Sequence, residues 1–254
     1  MRRSHLVAIA IAAYLLFLVT RLPADLAYVF VQGKFPDLTL GEFEGTVWHG
    51  TAQSVVYDGI HAGRLEWDAR PLRFLLGEWS SAIQLRGPID SLADIAYSLT
   101  GILKMTSASV TARLSDLSRF FPQLSIMALE GGVSARIESL SLALQRESLL
   151  DIHGTVQIDD LFAGGLRLGD FTAKMSTDDE GTKKLVFTSV GHDGLDVVGE
   201  LLLNQQEQIT LDLFVRNPEY LGDLAGLFRR FSSEEPDGNR FRWTGEFGNL
   251  KKYM

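Results

Sequence analysis

The chain has 254 residues, 24 of them basic and 32 acidic, for a net charge of −8, and 46% are hydrophobic. That composition is near the globular average and excludes collagen-like, low-complexity and wholly disordered chains. The acidic balance argues against a nucleic-acid partner, and the absence of cysteine excludes disulfides, thiolate metal sites and a cysteine nucleophile.

Arg2 and Arg3 precede an uncharged apolar run, Leu6 to Thr20, which Arg21 closes. Basic residues before an apolar segment favour a cytoplasmic N-terminus. The run has 15 residues, roughly 22 Å as a helix, against a hydrocarbon core of about 30 Å. Three readings fit: an uncleaved signal anchor, a cleaved signal peptide and a buried core helix. No small-x-small cleavage site follows, because Leu22 precedes Ala24 and Asp25 precedes Ala27. The twin arginines argue against a core helix. The anchor is therefore the expected reading, helped by Leu22, Leu26, Tyr28, Val29 and Phe30, with Pro23 starting a new helical turn. Residues 1–31 are then cytoplasmic tail and anchor, and 32–254 are one periplasmic β-rich domain. That domain carries 21 basic residues (24 less Arg2, Arg3 and Arg21) and 31 acidic ones (32 less Asp25), a net charge of −10. It would be repelled by an anionic membrane surface.

Past about residue 40 the period shifts to alternation of apolar and polar residues, the signature of strands with one wet and one dry face. The 24 glycines against 7 prolines point the same way. Thr46–Tyr57 and Ile60–Trp67 read as a hairpin about Asp58-Gly59, a favoured turn pair. Strands are also expected at Ser81–Arg86, Met105–Leu114 and Val133–Leu144, where the phase slips near Ser139 and implies a bulge. Further strands follow at 152–158, 171–175, 185–190, 195–203, 209–215 and 241–247, with a hairpin turn at Asp179-Glu180-Gly181. Helices are predicted over Asp90–Leu99, over Asp116–Leu124 and over Glu219–Phe231, the last capped by Asn217. Ser232–Asn239 reads as a polar loop. Segments of the type L/F-x-G-x-V recur at Phe43–Val47, Leu129–Val133 and Ile152–Val156, and suggest either a repetitive sheet or merely how strands begin. The fold class expected is mainly β: an N-terminal transmembrane helix followed by one extended, curled antiparallel sheet of about ten strands, half-barrel or groove-like, with a few short amphipathic helices.

Chemistry-bearing motifs are sparse. The five histidines form no H-E-x-x-H and no G-x-S-x-G accompanies His192-Asp193. Gly164-Gly165 lacks the phosphate-cradle spacing, and Asp178, Asp179 and Glu180 lack a calcium-loop pattern. No enzyme activity, metal site or cofactor is expected. Trp48, Trp67, Trp79 and Trp243 lie in or beside predicted strands. They read as core anchors first and as a binding surface for protein or lipid second. As a core truncation, Trp48→Ala should cost about 3–5 kcal/mol.

At Gly45-Thr46-Val47-Trp48-His49-Gly50 a known pattern emerges. It continues through Leu65-Glu66-Trp67-Asp68-Ala69-Arg70-Pro71-Leu72 and Leu75-Leu76-Gly77, with a closing Trp243-Thr244-Gly245. With the N-terminal anchor, this resembles protein N of the bacterial type II secretion system. The residues that carry the resemblance, read as structural, are Gly45, Thr46, Val47, Trp48, Gly50, Trp67, Pro71 and Gly77. His49 stands where the family has a small polar residue, and residues 178–239 add little to the match. The resemblance implies a single-pass inner-membrane protein with its bulk in the periplasm. It also implies an accessory role in export of folded proteins, partners among the other secretion subunits, and no catalysis or cofactor. The alternative is a membrane-tethered periplasmic lipid carrier of AsmA-like type. A carrier leaves an apolar face uncovered and a scaffold buries it. The amphipathic segments at 116–124 and 219–231 are placed to cover that face, which favours the scaffold.

Overall fold

A computed structural model describes residues 3–33, 36–74, 77–120, 128–146, 148–191, 194–206, 208–222 and 224–246. Two helices open the chain, α1 (Arg3–Thr20) and α2 (Ala24–Gln32). The strands are β1 (Leu38–Gly45), β2 (His49–Tyr57), β3 (Ile60–Ala69), β4 (Glu78–Arg86), β5 (Ile89–Ser98), β6 (Ile102–Arg113) and β7 (Leu129–Ala143). They continue with β8 (Ser148–Ala163), β9 (Leu166–Thr177), β10 (Lys183–Val190), β11 (Val197–Leu203), β12 (Gln208–Val215), β13 (Ser233–Glu235) and β14 (Gly238–Glu246). Short helices intervene: α3 (Pro71–Phe74), α4 (Leu114–Phe120), a 3-10 turn (Pro218–Leu221) and α5 (Leu224–Phe231).

All 14 strands form one open antiparallel sheet, in chain order except that β14 pairs with β12 and β13 takes the edge. The expected mainly-β class is therefore correct, with more strands than the ten anticipated. The Asp58-Gly59 hairpin forms, both residues at positive φ (48° and 76°) as a primed turn requires. The phase slip in β7 is a bulge between Ile137 and Ser139. At the β9–β10 turn, Asp178 Oδ1 accepts from the N–H groups of Glu180 (3.0 Å) and Thr182 (2.8 Å).

Several expectations are corrected. The segment 90–99 is not a helix but strand β5, paired on both sides. Ile89, Ser91, Ala93, Ile95 and Tyr97 alternate with Asp90, Leu92 and Asp94, and two neighbouring ladders outweigh a weak helical stripe. The helix expected over 219–231 is broken at Gly222 (φ 56°), which closes the 3-10 turn with an N–H to the Glu219 carbonyl. Asn217 does not cap it. Its amide instead donates to the Gly194 carbonyl (2.8 Å) and accepts from the Asp196 N–H (2.6 Å), tying two connections together. The loop 232–239 contains edge strand β13. The L/F-x-G-x-V echo is not a repeat: Gly45 ends β1, Gly131 sits near the start of β7 and Gly154 lies inside β8. Pro122 and His192-Asp193 lie outside the described residues. Among those residues, no helix is long and apolar enough to cross a membrane. With 18 residues, α1 spans about 27 Å.

The sheet has two unlike faces. One register row runs Val110, Ala135, Val156, Ala173, Phe187, Gly199, Leu213, Phe241 across eight strands. The row beside it, on the other face, runs Ser109, Arg136, Thr155, Lys174, Val186, Glu200, Asp212, Arg242. Most of the apolar row is partly rather than fully buried.

The sheet also has two unlike ends. The far end holds α4, the 3-10 turn and α5. Here Leu195, Val197 and Val215 form a buried core with Leu168, Phe171, Phe187, Leu213, Leu221 and Phe228 packed round it. The near end holds α3 and the junction of α1, α2 and the first hairpin.

Candidate functional site

The motif Gly45–Gly50 is the turn between β1 and β2, at the near end. Gly45 has φ 90°, and a Cβ there would strike the His49 carbonyl. Thr46 N–H donates to that carbonyl (2.7 Å), and Thr46 Oγ1 accepts from the N–H groups of Trp48 (3.3 Å) and His49 (3.2 Å). A hydroxyl that satisfies two turn amides is why Thr suits this position.

The turn grips the N-terminal helices. Thr46 makes an isolated antiparallel bridge with Pro23. Val47 N–H donates to the Leu22 carbonyl (3.0 Å). Trp48 Nε1–H donates to the Val19 carbonyl (2.8 Å) in the last turn of α1. The last four carbonyls of a helix lack the regular intrahelical bond; that of Val19 also accepts the Leu22 N–H at 3.4 Å, and Trp48 supplies its shorter bond. One turn thus holds the end of α1 by side chain and the α1–α2 connection by backbone.

A second tryptophan supports the turn from beneath. Trp67, on β3, stands opposite Gly50 in register. Its Nε1–H donates to the Val47 carbonyl (3.1 Å). Any Cβ on Gly50 would run into the Trp67 ring and lie 2.8–2.9 Å from the carbonyls of Glu44 and Thr46. Trp48 closes the loop, accepting at its carbonyl from the Ala69 N–H (2.6 Å). Each of Gly45, Thr46, Val47, Trp48, Gly50 and Trp67 therefore has a stated contact in one joint.

Pro71 and Gly77 lie beside the joint rather than in it. Pro71 starts α3, where a missing N–H costs nothing. Gly77 has φ 77°, and its carbonyl accepts from Leu99 N–H (3.2 Å). Ion pairs Arg70–Asp94 and Arg73–Glu78, each 2.9 Å, brace the connection. Leu75 and Leu76 lie outside the described residues.

The reading of Trp48 as a core anchor is revised. It is only partly buried, and its specific contact is the hydrogen bond to α1. Trp243 is 40% exposed on β14 and belongs to no joint. Sequence reasoning missed β1, which carries the helix contact: Tyr28 of α2 donates its hydroxyl to the Leu38 carbonyl (3.3 Å), and its ring lies 5.5 Å from that of Phe43. It also missed Val19, Leu22 and Pro23 as partners, because backbone carbonyls leave no mark in a side-chain pattern.

His49 Nε2 lies 3.1 Å from Asp68 Oδ1 and His153 Nε2 3.1 Å from Asp151 Oδ1, the first pair largely exposed. Among the described residues no group of three or more His, Asp or Glu is placed to hold a metal.

A sequence model for protein N of the type II secretion system matches residues 36–240. The chain belongs to that family. The match takes in the β1–β2 turn, Trp67 and the far core but begins after α1 and α2, so Val19, Leu22 and Pro23 lie outside it. Neither a curated protein nor a solved structure matches the chain. Family membership connects the chain to protein secretion and, in general terms, to other components of the type II system.

Proposed function

We propose that this chain is an inner-membrane accessory subunit of the type II secretion system, and that its role is structural rather than catalytic. In this reading α1 is a single-pass signal anchor, the N-terminus is cytoplasmic, and residues from 32 onward are periplasmic. The sheet is a platform that meets other secretion subunits.

The observation that carries the reading is the joint itself. Three contacts to Val19, Leu22 and Pro23 fix an apolar helix to a sheet edge. Along that helix Val7, Ile9, Ile11 and Phe17 are each more than half exposed, which suits a lipid environment. Arg2 before it, Arg3 at its first position and Arg21 after it supply charged ends. The few ångströms by which α1 falls short of the hydrocarbon core are within what local bilayer thinning and snorkelling accommodate.

Deletion and complementation test the secretion role. Loss of the gene should leave folded exoproteins in the periplasm, and the intact chain should restore their release. Unchanged secretion in the deletion strain would refute it. Topology is tested separately, and a cysteine-free chain makes that clean. With the outer membrane permeabilised, a membrane-impermeant maleimide should label Ser233→Cys and spare Ser4→Cys. The opposite pattern would overturn the orientation.

A further inference from the structure

An open sheet of 14 strands has two edges, and a bare edge is a template for another strand. The first edge is covered. β1 has α2 against it, with the Tyr28 hydroxyl donating to the Leu38 carbonyl (3.3 Å), and the α1–α2 connection bridges Thr46 through Pro23. The second edge is covered only in part. β13 (Ser233–Glu235) pairs with residues 238–240 of β14 and no further. From Phe241 to Glu246, β14 is paired with β12 on one side and, among the described residues, with no strand on the other.

The backbone groups on that open side follow from one contact. The Arg240 carbonyl accepts from Ser233 Oγ (3.1 Å), so residue 240 faces β13. Successive peptide groups of a strand point to opposite sides. The N–H and C=O of Arg242, Thr244 and Glu246 therefore point outward. Arg242 and Thr244 are exposed on the polar face, and Trp243 is 40% exposed on the apolar face. The stretch holds no proline and no bulge, two devices that blunt natural sheet edges.

Phe241-Arg242-Trp243-Thr244-Gly245-Glu246 is complementary to itself when run antiparallel. With a two-fold axis at Thr244, Arg242 stands opposite Glu246 of the second copy, Trp243 opposite its Gly245, and Thr244 opposite its Thr244. Opposite charges and threonine pairs are favourable cross-strand neighbours. Arg242 uses Nε on Asp212 Oδ2 (2.9 Å), which leaves the outer nitrogens of its fork for a second carboxylate. A Cβ on Gly245 would strike the Trp243 ring of its own strand, so this glycine lets the ring lie along the edge. Other registers fail. An axis at Arg242 or at Trp243 sets Glu246 of the second copy against Gly238 or Arg240, where β13 already lies. The first of these also opposes the two guanidinium groups. An axis at Gly245 leaves Arg242 with no opposite residue in β14.

We propose that this chain pairs with a second copy of itself, β14 against β14, with the two-fold axis at Thr244. Arg242 with Glu246, Thr244 with Thr244 and Glu246 with Arg242 each exchange two backbone hydrogen bonds across the junction. So short a contact makes a transient dimer. It uses neither α1 nor the Trp48–Trp67 turn, and it stands whether or not α1 is seated in a membrane. Strands turn by about 20–25° from one to the next, so over the 12 steps from β14 to β1 the direction of α1 is not set by the antiparallel sense at the junction.

The absence of native cysteine allows a disulfide test in the full-length chain. Thr244→Cys, Arg242→Cys and Thr210→Cys are expressed singly, cell envelopes are oxidised with copper phenanthroline, and dimers are read on non-reducing gels. Thr210 is exposed beside Thr244, one strand in from the edge. Arg242 would lie about 14 Å from its own copy, beyond the roughly 7 Å a disulfide spans. Thr244→Cys should give a dimer band several-fold above the other two. Adding Glu246→Lys should reduce that band several-fold, because a basic residue then faces Arg242. Arg242→Cys and Glu246→Cys in co-expressed copies should join to each other, which gives a second pair if Thr244→Cys does not fold. Only variants whose urea midpoint matches the wild type are compared. No dimer at either pair, equal bands at all three single positions, a disulfide to a different protein in place of the dimer, or a band indifferent to Glu246→Lys would overturn the inference.

Discussion

At the far end of the sheet Val215 is 1% exposed and packs with Leu195 and Val197 under Phe228. At the near end Trp48 is only partly buried and reaches across to a helix carbonyl. The first is an assembly of dispersion contacts and expelled water, and its loss unfolds the sheet. The second is a set of directed hydrogen bonds between two elements that are each formed without it. Directed bonds contribute little net stability but fix an orientation. The contrast separates what keeps the domain folded from what sets the sheet relative to its N-terminal helix.

That separation can be broken by experiment, starting with the largest effect. Val215→Asp places an unpaired charge in the far core and should cost 3–5 kcal/mol or more, leaving little folded protein in a urea titration. A stable, secretion-competent Val215→Asp would show that the far core is not the source of stability. Gly50→Val drives a side chain into Trp67 and should cost about 1–3 kcal/mol, read by the same titration. Asn217→Ala removes the clamp between Gly194 and Asp196 and should cost about 1–2 kcal/mol by thermal unfolding. Trp48→Phe keeps a ring but removes the donor to Val19. It should cost only about 0.5–1.5 kcal/mol, with protein levels near normal and exoprotein release reduced. A loss of 3–5 kcal/mol there would restore the core-anchor reading of Trp48. His49→Ala removes an exposed pair with Asp68 and should stay within about 0.5 kcal/mol.

The two regions were unequally legible in the sequence. The strands that supply the far core announce themselves by alternation, as in Ile209–Val215, because one face of each packs on apolar neighbours and the other faces water. The bulge at Ile137–Ser139 shows as a phase slip for the same reason. Residues 90–99 misled, since Leu92, Ile95, Ala96 and Leu99 fit a helical stripe, while ladder pairing to β4 and β6 is a tertiary fact. Asn217 before Pro218 looked like a helix cap, and the structure spends its amide on Gly194 and Asp196 instead. At the near end the motif residues were visible and their purpose was not. Glycine and tryptophan in Gly45–Gly50 signal a constrained turn, but the partners that explain Trp48 and Val47 are carbonyls of Val19 and Leu22, which any sequence offers at those positions. The helices predicted to cover the apolar face exist in part, and α5 sits at one end of it rather than across it.

Membrane-held, non-covalent association with the secretion apparatus is what we propose for this chain. The most direct measurement is purification of the full-length chain from detergent-solubilised inner membranes, with quantitative mass spectrometry of the proteins that accompany it. Other secretion subunits are expected at a defined ratio, retained by the wild type and diminished by Trp48→Phe at equal chain recovery. Recovery of the chain alone, or in the soluble periplasmic fraction, would contradict it.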